Sequence, residues 1–195
     1  EQEFSDVSTM TIRRDLAHLE EKGYIVRVRG GAKSIDSLTN NREDEYNSRL
    51  MENVEGKTEM AKKAVEFVEM GRAIYMDSGT TMMCLANILP EANLSILTSG
   101  PNIALEIIKR HGPSVTLLGG QVNRDNISVS GISALNFIKN VNIDIAFMAT
   151  SAFSLQNGFT GGNFSECEIK RAVMAKANKN IMLMDVAKIG KNMRI

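Results

Sequence analysis

AIYMDSGTTMMCLANILPEANLSILTSG, residues 73 to 100, sets two short apolar runs, AIYM and LSILT, on either side of a helix-like stretch. Runs this short do not suit buried helices; they suit strands covered on both faces. The intervening TTMMCLANIL is long enough to carry the chain from the end of one strand to the start of a parallel neighbour. The alternation then continues through NIALEIIKR, SVTLL, ISALNFIKN, IDIAFM, ECEIKRAVMAKA and NIMLM. Upstream, Met60, Ala61, Ala64, Val65 and Val68 share one side of a helix that begins near Lys57. Strands joined by helical crossovers make a doubly wound, mostly parallel sheet, so residues 51–195 are expected to form one α/β domain.

A chain of 195 residues, 43% of them hydrophobic, has material for such a domain and a small appendage. Lys plus Arg equals Asp plus Glu at 23 each, so the molecule as a whole is not a polycation. Residues 8 to 33 differ, with six bases against three acids, which points to an anionic partner for that segment alone. Cys84 and Cys167 are far apart in the chain and form neither a disulfide framework nor a metal knuckle. The expected compartment is the reducing cytoplasm, and no metal or cofactor is expected. No apolar run reaches the length of a membrane span. The methionines, Met82-Met83 and Met182/Met184 among them, read as core filler. EQEFSDV without an initiating Met, and an abrupt KIGKNMRI, give the expectation that both termini are truncated.

The basic segment is VSTMTIRRDLAHLEEKGYIVRVRGGA, residues 7 to 32. Ile12, Leu16 and Leu19 recur at helical spacing, with Ser8 as N-cap and Gly23 as stop. Met10, Arg14, Ala17 and His18 fall on the opposite face, flanked by Thr11 and Arg13. Two guanidinium groups among short side chains let a helix lie deep in a groove and reach phosphates or guanine edges. Beyond Gly23, Val26 and Val28 point to one side of a strand and Arg27 and Arg29 to the other, before Gly30-Gly31 permits a reversal. A solvated amphipathic helix and an ordinary hairpin fit the same pattern. The stretch resembles the DNA-binding signature of DeoR-type bacterial transcriptional regulators, Val-Ser-x-x-Thr-Ile-Arg-Arg-Asp-Leu followed by a strand and a Gly-Gly-Ala wing. That resemblance implies a recognition helix and wing that present Thr9, Thr11, Arg13, Arg14, Arg27 and Arg29 to operator DNA. The helices that usually come first would lie upstream of residue 1, so residues 1–34 count as a partial winged helix-turn-helix, and residues 35–50, polar and aperiodic, as a linker.

Open α/β sheets bind ligands beyond the carboxyl ends of their strands. Asp77-Ser78-Gly79-Thr80-Thr81 lies there: Gly79 allows close approach, the hydroxyls donate, and the next helix offers amides to an anion. Equally, Ser78 or Thr80 serves as a helix cap. Thr98-Ser99-Gly100 and Gly119-Gly120 also follow strands, as ligand loops or as plain turns. Asp185 and Lys188 follow NIMLM, while Glu166 and Lys170 stand one helical turn apart, most simply as a surface salt bridge. The DeoR-type resemblance extends here, through Asp77–Thr81, Leu117–Gly120, Gly131, Asp144–Phe147, Glu166–Arg171 and Asp185-x-x-Lys188-x-Gly190. It implies a fold like ribose-5-phosphate isomerase and the CoA-transferases, with a phosphorylated sugar as effector. Ser78, Gly79, Thr80 and Thr81 would cradle the phosphate beside Gly119, Gly120 and Lys188, with Asp77, Thr98, Ser99, Glu166 and Lys170 also in the site. The expectation is a DNA-binding repressor of sugar-metabolism genes, an even-numbered homo-oligomer, and not an enzyme. The competing reading is a sugar-phosphate isomerase-like enzyme using Asp77, Asp144, Glu166 and Lys170; His18 and His111 join no legible nucleophile arrangement.

Overall fold

Ser8 has extended backbone and its side chain accepts a hydrogen bond from the Thr11 amide, which starts helix α1 (Thr9–Glu21). Gly23 ends it with a φ of +74°. The amides of Gly23 and Tyr24 then reach back to the carbonyls of Glu20 and Leu19, the paired closure of a Schellman motif. Strands β1 (Ile25–Val28) and β2 (Gly31–Ser34) follow as an antiparallel hairpin with Arg27 opposite Ala32. Ile12 and Leu16 of the expected stripe are half-buried and Arg13 and Arg14 exposed, while Leu19, the third member of the stripe, is exposed.

This computed structural model describes residues 8–28, 31–34 and 46–195. The chain divides into two units, Glu1–Arg42 and Glu43–Ile195. Arg29 and Gly30 of the expected wing, and residues 35–45 of the expected linker, lie outside the described residues. The last residues of that linker are helical: α2 (Tyr46–Met51) starts within them and is followed by α3 (Val54–Val65).

The larger unit then alternates: β3 (Ala73–Met76), α4 (Thr80–Ala86), β4 (Ser95–Thr98), α5 (Pro101–Ile107) and β5 (Ser114–Leu117). A hairpin of β6 (Gln121–Asn123) and β7 (Ser128–Ser130) leads to α6 (Ile132–Lys139) and β8 (Ile143–Ala149). A second hairpin, β9 (Ala152–Ser154) with β10 (Gly158–Thr160), precedes α7 (Phe164–Lys176) and β11 (Ala177–Leu183). The main sheet has the order β11-β8-β3-β4-β5, and every pairing in it is parallel. Ile74 and Met76 point into one core with Met82, Leu85, Ile103 and Phe147. Tyr75, one residue out of phase, joins Ile138, Ala146, Met148 and Ile169 in the core on the other face. That two-sided burial is why AIYM shows no polar alternation. Of the methionines expected inside, Met82 is fully buried and Met83 and Met182 pack against the cores, whereas Met10, Met51 and Met70 are exposed and fill no core.

The connections place the site. From β3 the chain steps outward to β4 and β5, then returns to lay β8 and β11 on the other side of β3. The winding direction therefore reverses between β3 and β8, and their carboxyl ends flank the crevice where doubly wound sheets hold ligands. Among the described residues, no helix is long and apolar enough to cross a membrane.

Candidate functional site

The Asp77 side chain ties the two strands together at the reversal. Its Oδ1 accepts from the Ser78 amide at 2.9 Å and its Oδ2 from the Ala149 amide at 3.0 Å. Only 2% exposed, it also pairs with the Lys170 ammonium, which in turn donates to the Ala149 carbonyl at 2.9 Å. A buried carboxylate needs such donors, because a charge taken out of water without them costs several kcal/mol. Gly79 follows with a φ of +113°, a region that side chains disfavour. It is the N-cap of α4 and makes no side-chain capping bond. Neither Ser78 nor Thr80 serves as the cap, contrary to the plainer of the two sequence readings.

Ser78 to Thr81 form one wall of a narrow cleft that is partly open to solvent. The segment after β8, Ala149 to Ser151, lies alongside, and α7 contributes Glu166, Cys167 and Lys170. Gly161 to Asn163, ahead of α7, also line it. Lys188 enters from the turn after β11 and donates to the Thr150 carbonyl at 2.6 Å. Asp185 caps that turn, its Oδ1 accepting from the Ala187 amide at 2.8 Å. This bond and another from the Asn53 side chain hold its carboxyl below the ordinary value.

Glu166 and Lys170 do not form the expected surface salt bridge. Glu166 is buried, and its Oε1 accepts from Asn123 at 2.9 Å, Asn126 at 3.2 Å and the Ser128 hydroxyl at 2.5 Å. Its Oε2 accepts from Asn126 at 3.0 Å. The β6–β7 hairpin brings all three donor residues to the first turn of α7, and Lys170 turns to Asp77 instead. Tertiary donors thus override the helical spacing. Asn126 also accepts from Arg49 Nη2 at 3.1 Å, and both residues line the cleft.

Five of the expected effector residues do not line this cleft: Asp77, engaged by the Ser78 and Ala149 amides and Lys170, and four that stand elsewhere. Thr98 and Ser99 are buried: the Thr98 hydroxyl accepts from the Gly100 amide, and the Ser99 hydroxyl is bonded to that of Tyr75. At Gly120 a Cβ would lie 2.3 Å from the Ser130 carbonyl oxygen, so that position serves the close approach of two backbones. Gly119 has open space around it and also stands apart from the cleft lining. Asp144 accepts from the Ala73 amide at 2.9 Å, at the start of β3 and the far end of the sheet from Asp77. Arg49, Asn126, Thr150 and Asn163 were missed by sequence reasoning; the polar turn Arg124-Asp125-Asn126 and the run Gly161-Gly162-Asn163 were the available signals.

In the smaller unit Thr9, Arg13, Arg14 and Arg27 are exposed, and the half-buried Thr11 has its hydroxyl 2.9 Å from that of Ser8. The Arg27 amide donates to the Glu20 carboxylate at 3.1 Å, which joins β1 to the last turns of α1.

Residues 2–38 match the DeoR-like helix-turn-helix domain, and residues 52–194 the DeoR C terminal sensor domain. The chain is 37% identical over 189 residues to the HTH-type transcriptional regulator GolR of Listeria innocua, a match covering 95% of this chain and 72% of that protein. It is 34% identical over 185 residues to the HTH-type transcriptional regulator GlpR of Haloferax volcanii, covering 94% and 71%. With a putative aga operon transcriptional repressor of Escherichia coli the identity is 32% over 187 residues, covering 95% and 70%. Among solved structures, a D-ribose-5-phosphate isomerase in complex with phospho-erythronic acid superposes with a TM-score of 0.52 at 18% identity, covering 71% of this chain and 55% of the enzyme. The ribose 5-phosphate isomerase A of Methanocaldococcus jannaschii gives 0.51 at 16%, covering 70% of this chain and 55% of that one. The chain thus matches little more than half of either isomerase, and at these identities what is shared is the fold.

Proposed function

The chain belongs to the DeoR family of DNA-binding transcriptional regulators, and from that premise we propose that it represses sugar-metabolism genes until a phosphorylated sugar enters the β3–β8 cleft. The observation that carries this reading is the Gly79 loop: a backbone turn that only glycine takes easily opens a helix with no side-chain cap, in a cleft that Lys188 also lines. A phosphate dianion there would accept charge-assisted bonds from the first-turn amides and the Thr80 and Thr81 hydroxyls. Lys188 supplies compensating charge from the end of another strand.

Residues 1–34 read the operator, through Thr9, Thr11, Arg13, Arg14, Arg27 and Arg29, and residues 51–195 sense the effector, with 35–50 between them. The regulator works in the cytoplasm, as an even-numbered homo-oligomer that pairs operator half-sites. It does not turn over its effector. In support, Asp144 stands at the other end of the sheet, and Asp77 is engaged by two amides and Lys170.

The test is calorimetric titration of the intact protein with the phosphorylated and unphosphorylated forms of whichever sugar raises its melting temperature. The phosphorylated form is expected to bind far more tightly. The double variant Thr80→Ala, Lys188→Ala should stay folded and lose that preference. Equal affinities for the two forms in the unmutated protein would sink the reading.

A further inference from the structure

We propose that strand β5 is the surface on which a second copy of this chain docks, the two β5 strands pairing antiparallel about a two-fold axis at Thr116. The proposal rests on the even-numbered homo-oligomer of the reading above and names its interface. Strand β5 ends the main sheet, and among the described residues β4 is its one strand neighbour. The amides of Ser114 and Leu118 donate to the carbonyls of Leu94 and Thr98, on the β4 side. Backbone groups alternate in direction along a strand, so those of Val115 and Leu117 point away from the sheet. The strand, Ser-Val-Thr-Leu, puts no charge on that edge. The opposite outer strand, β11, has Asn178, Lys179 and Asn180 exposed along it, the kind of polar and charged side chains that keep an edge from pairing.

The edge complements its own copy. With Thr116 on the axis, Val115 stands opposite Leu117 of the second copy, and each such pair exchanges both of its N–H···O=C bonds. Thr116 then meets its counterpart in a non-hydrogen-bonded pair, with Cα atoms about 4.5 Å apart and side chains in contact. An axis of this kind is perpendicular to the sheet and keeps like faces together. On one face Val115 belongs to the core that α5 covers through Ile103 and Ile107, and Leu105 and Ile108, on that helix and at its end, are 63% and 59% exposed. Leu117 is exposed as well. On the other face Ser114 and Thr116 border an open groove together with the exposed Phe137. Leu105, Ile108, Leu117 and Phe137 offer roughly 400 Å² of apolar surface per copy. That is about the apolar share of the ~800 Å² that each partner contributes to a stable dimer. A short peptide added to the edge would leave most of it uncovered. A two-fold dimer also carries two DNA-binding heads, as a pair of operator half-sites requires.

The experiment combines sedimentation equilibrium of the intact protein and of Leu117→Lys with disulfide trapping in Thr116→Cys. The unmutated protein is expected to sediment as an even-numbered oligomer. Leu117→Lys, which puts an ammonium group at an exposed position of the edge, should halve that mass and keep the circular dichroism of the unmutated protein. Diamide should convert Thr116→Cys to covalent dimers, because cysteines facing each other in such a pair stand within disulfide reach. Lys179→Cys, on the β11 edge, should not cross-link, and neither should the unmutated chain with its Cys84 and Cys167. Should Leu117→Lys fail to fold, the trapping result decides alone. If the unmutated protein is an even-numbered oligomer and Thr116→Cys gives no covalent dimer, or a folded Leu117→Lys keeps the full mass, something other than a second β5 occupies this edge. The β5 pairing is then overturned and the oligomer reading stands. If the unmutated protein is a monomer, the oligomer reading itself fails and takes this proposal with it.

Discussion

Asp185 is more acidic than a free aspartate because the Ala187 amide and the Asn53 side chain both donate to it. Its folded-state pKa lies below the ordinary 3.8, so its contribution to stability is complete above that value and lost as pH falls through the lower, folded one. Asp185→Asn is expected to flatten the acid limb of a melting-temperature profile below about pH 4. Identical acid limbs for the two proteins would refute that assignment. Tyr75 behaves in the opposite sense. Burial pushes its phenol well above the usual 10, so what it adds to stability is complete below pH 10 and fades as pH rises further. Tyr75→Phe strands the Ser99 hydroxyl and should cost about 1–2 kcal/mol in urea unfolding at neutral pH. Neither partnership was visible in sequence: Tyr75 and Ser99 are 24 residues apart, and only the parallel ladder of β3 with β4 brings them together.

Elements differ in how far the chain announces them. Strand β3 is legible because its residues are apolar without interruption and mostly buried, and β4 and β8 because they are apolar apart from Ser95 and Thr98 in the one and Asp144 in the other. The hairpins β6–β7 and β9–β10 have strands of three residues, too few to establish a period of two. Asn126 and Thr150 belong to or adjoin them and were missed for that reason, while the Gly79 loop, lying between two legible elements, was found. Its glycine makes a sharp prediction. Gly79→Ala meets no atom within 4 Å of the new Cβ, so any loss comes from the backbone at φ +113°, and about 1–3 kcal/mol of stability is expected to go together with phosphate affinity. Gly119→Ala, also in open space and without the positive φ, should change neither. At the other end of the chain, Arg14→Ala should weaken operator binding by about 1–3 kcal/mol and leave effector binding unchanged. Operator affinity measured over several salt concentrations tests it, and no change at any of them would remove α1 from the DNA interface.

For the whole molecule, alternating apolar runs and crossovers predicted a parallel sheet, but nothing in them predicted that β8 would lie between β3 and β11. Strand order depends on which helices cover which face, and that is settled by packing across the sheet. Because only the folded unit assembles the cleft, a tight ligand raises global stability, by about 2.7 kcal/mol at one hundred times its dissociation constant. Thermal melting against a panel of sugar phosphates measures this directly, and a phosphorylated sugar is expected to give the largest shift.

The bond from the Ala149 amide to Asp77 spans 72 residues, and it has a consequence for how the protein is made. During translation β3, β4 and β5 leave the ribosome first, while the side of β3 that will receive β8 has no mate. Its ladder amides and carbonyls face solvent until residues 143–149 are synthesised, and a nascent chain with an open strand edge invites wrong partners. Closing so long a loop comes late and slowly. A polypeptide stalled before β8 therefore has half a sheet and no cleft, and newly made regulator becomes responsive to metabolite only after its last large crossover is in place.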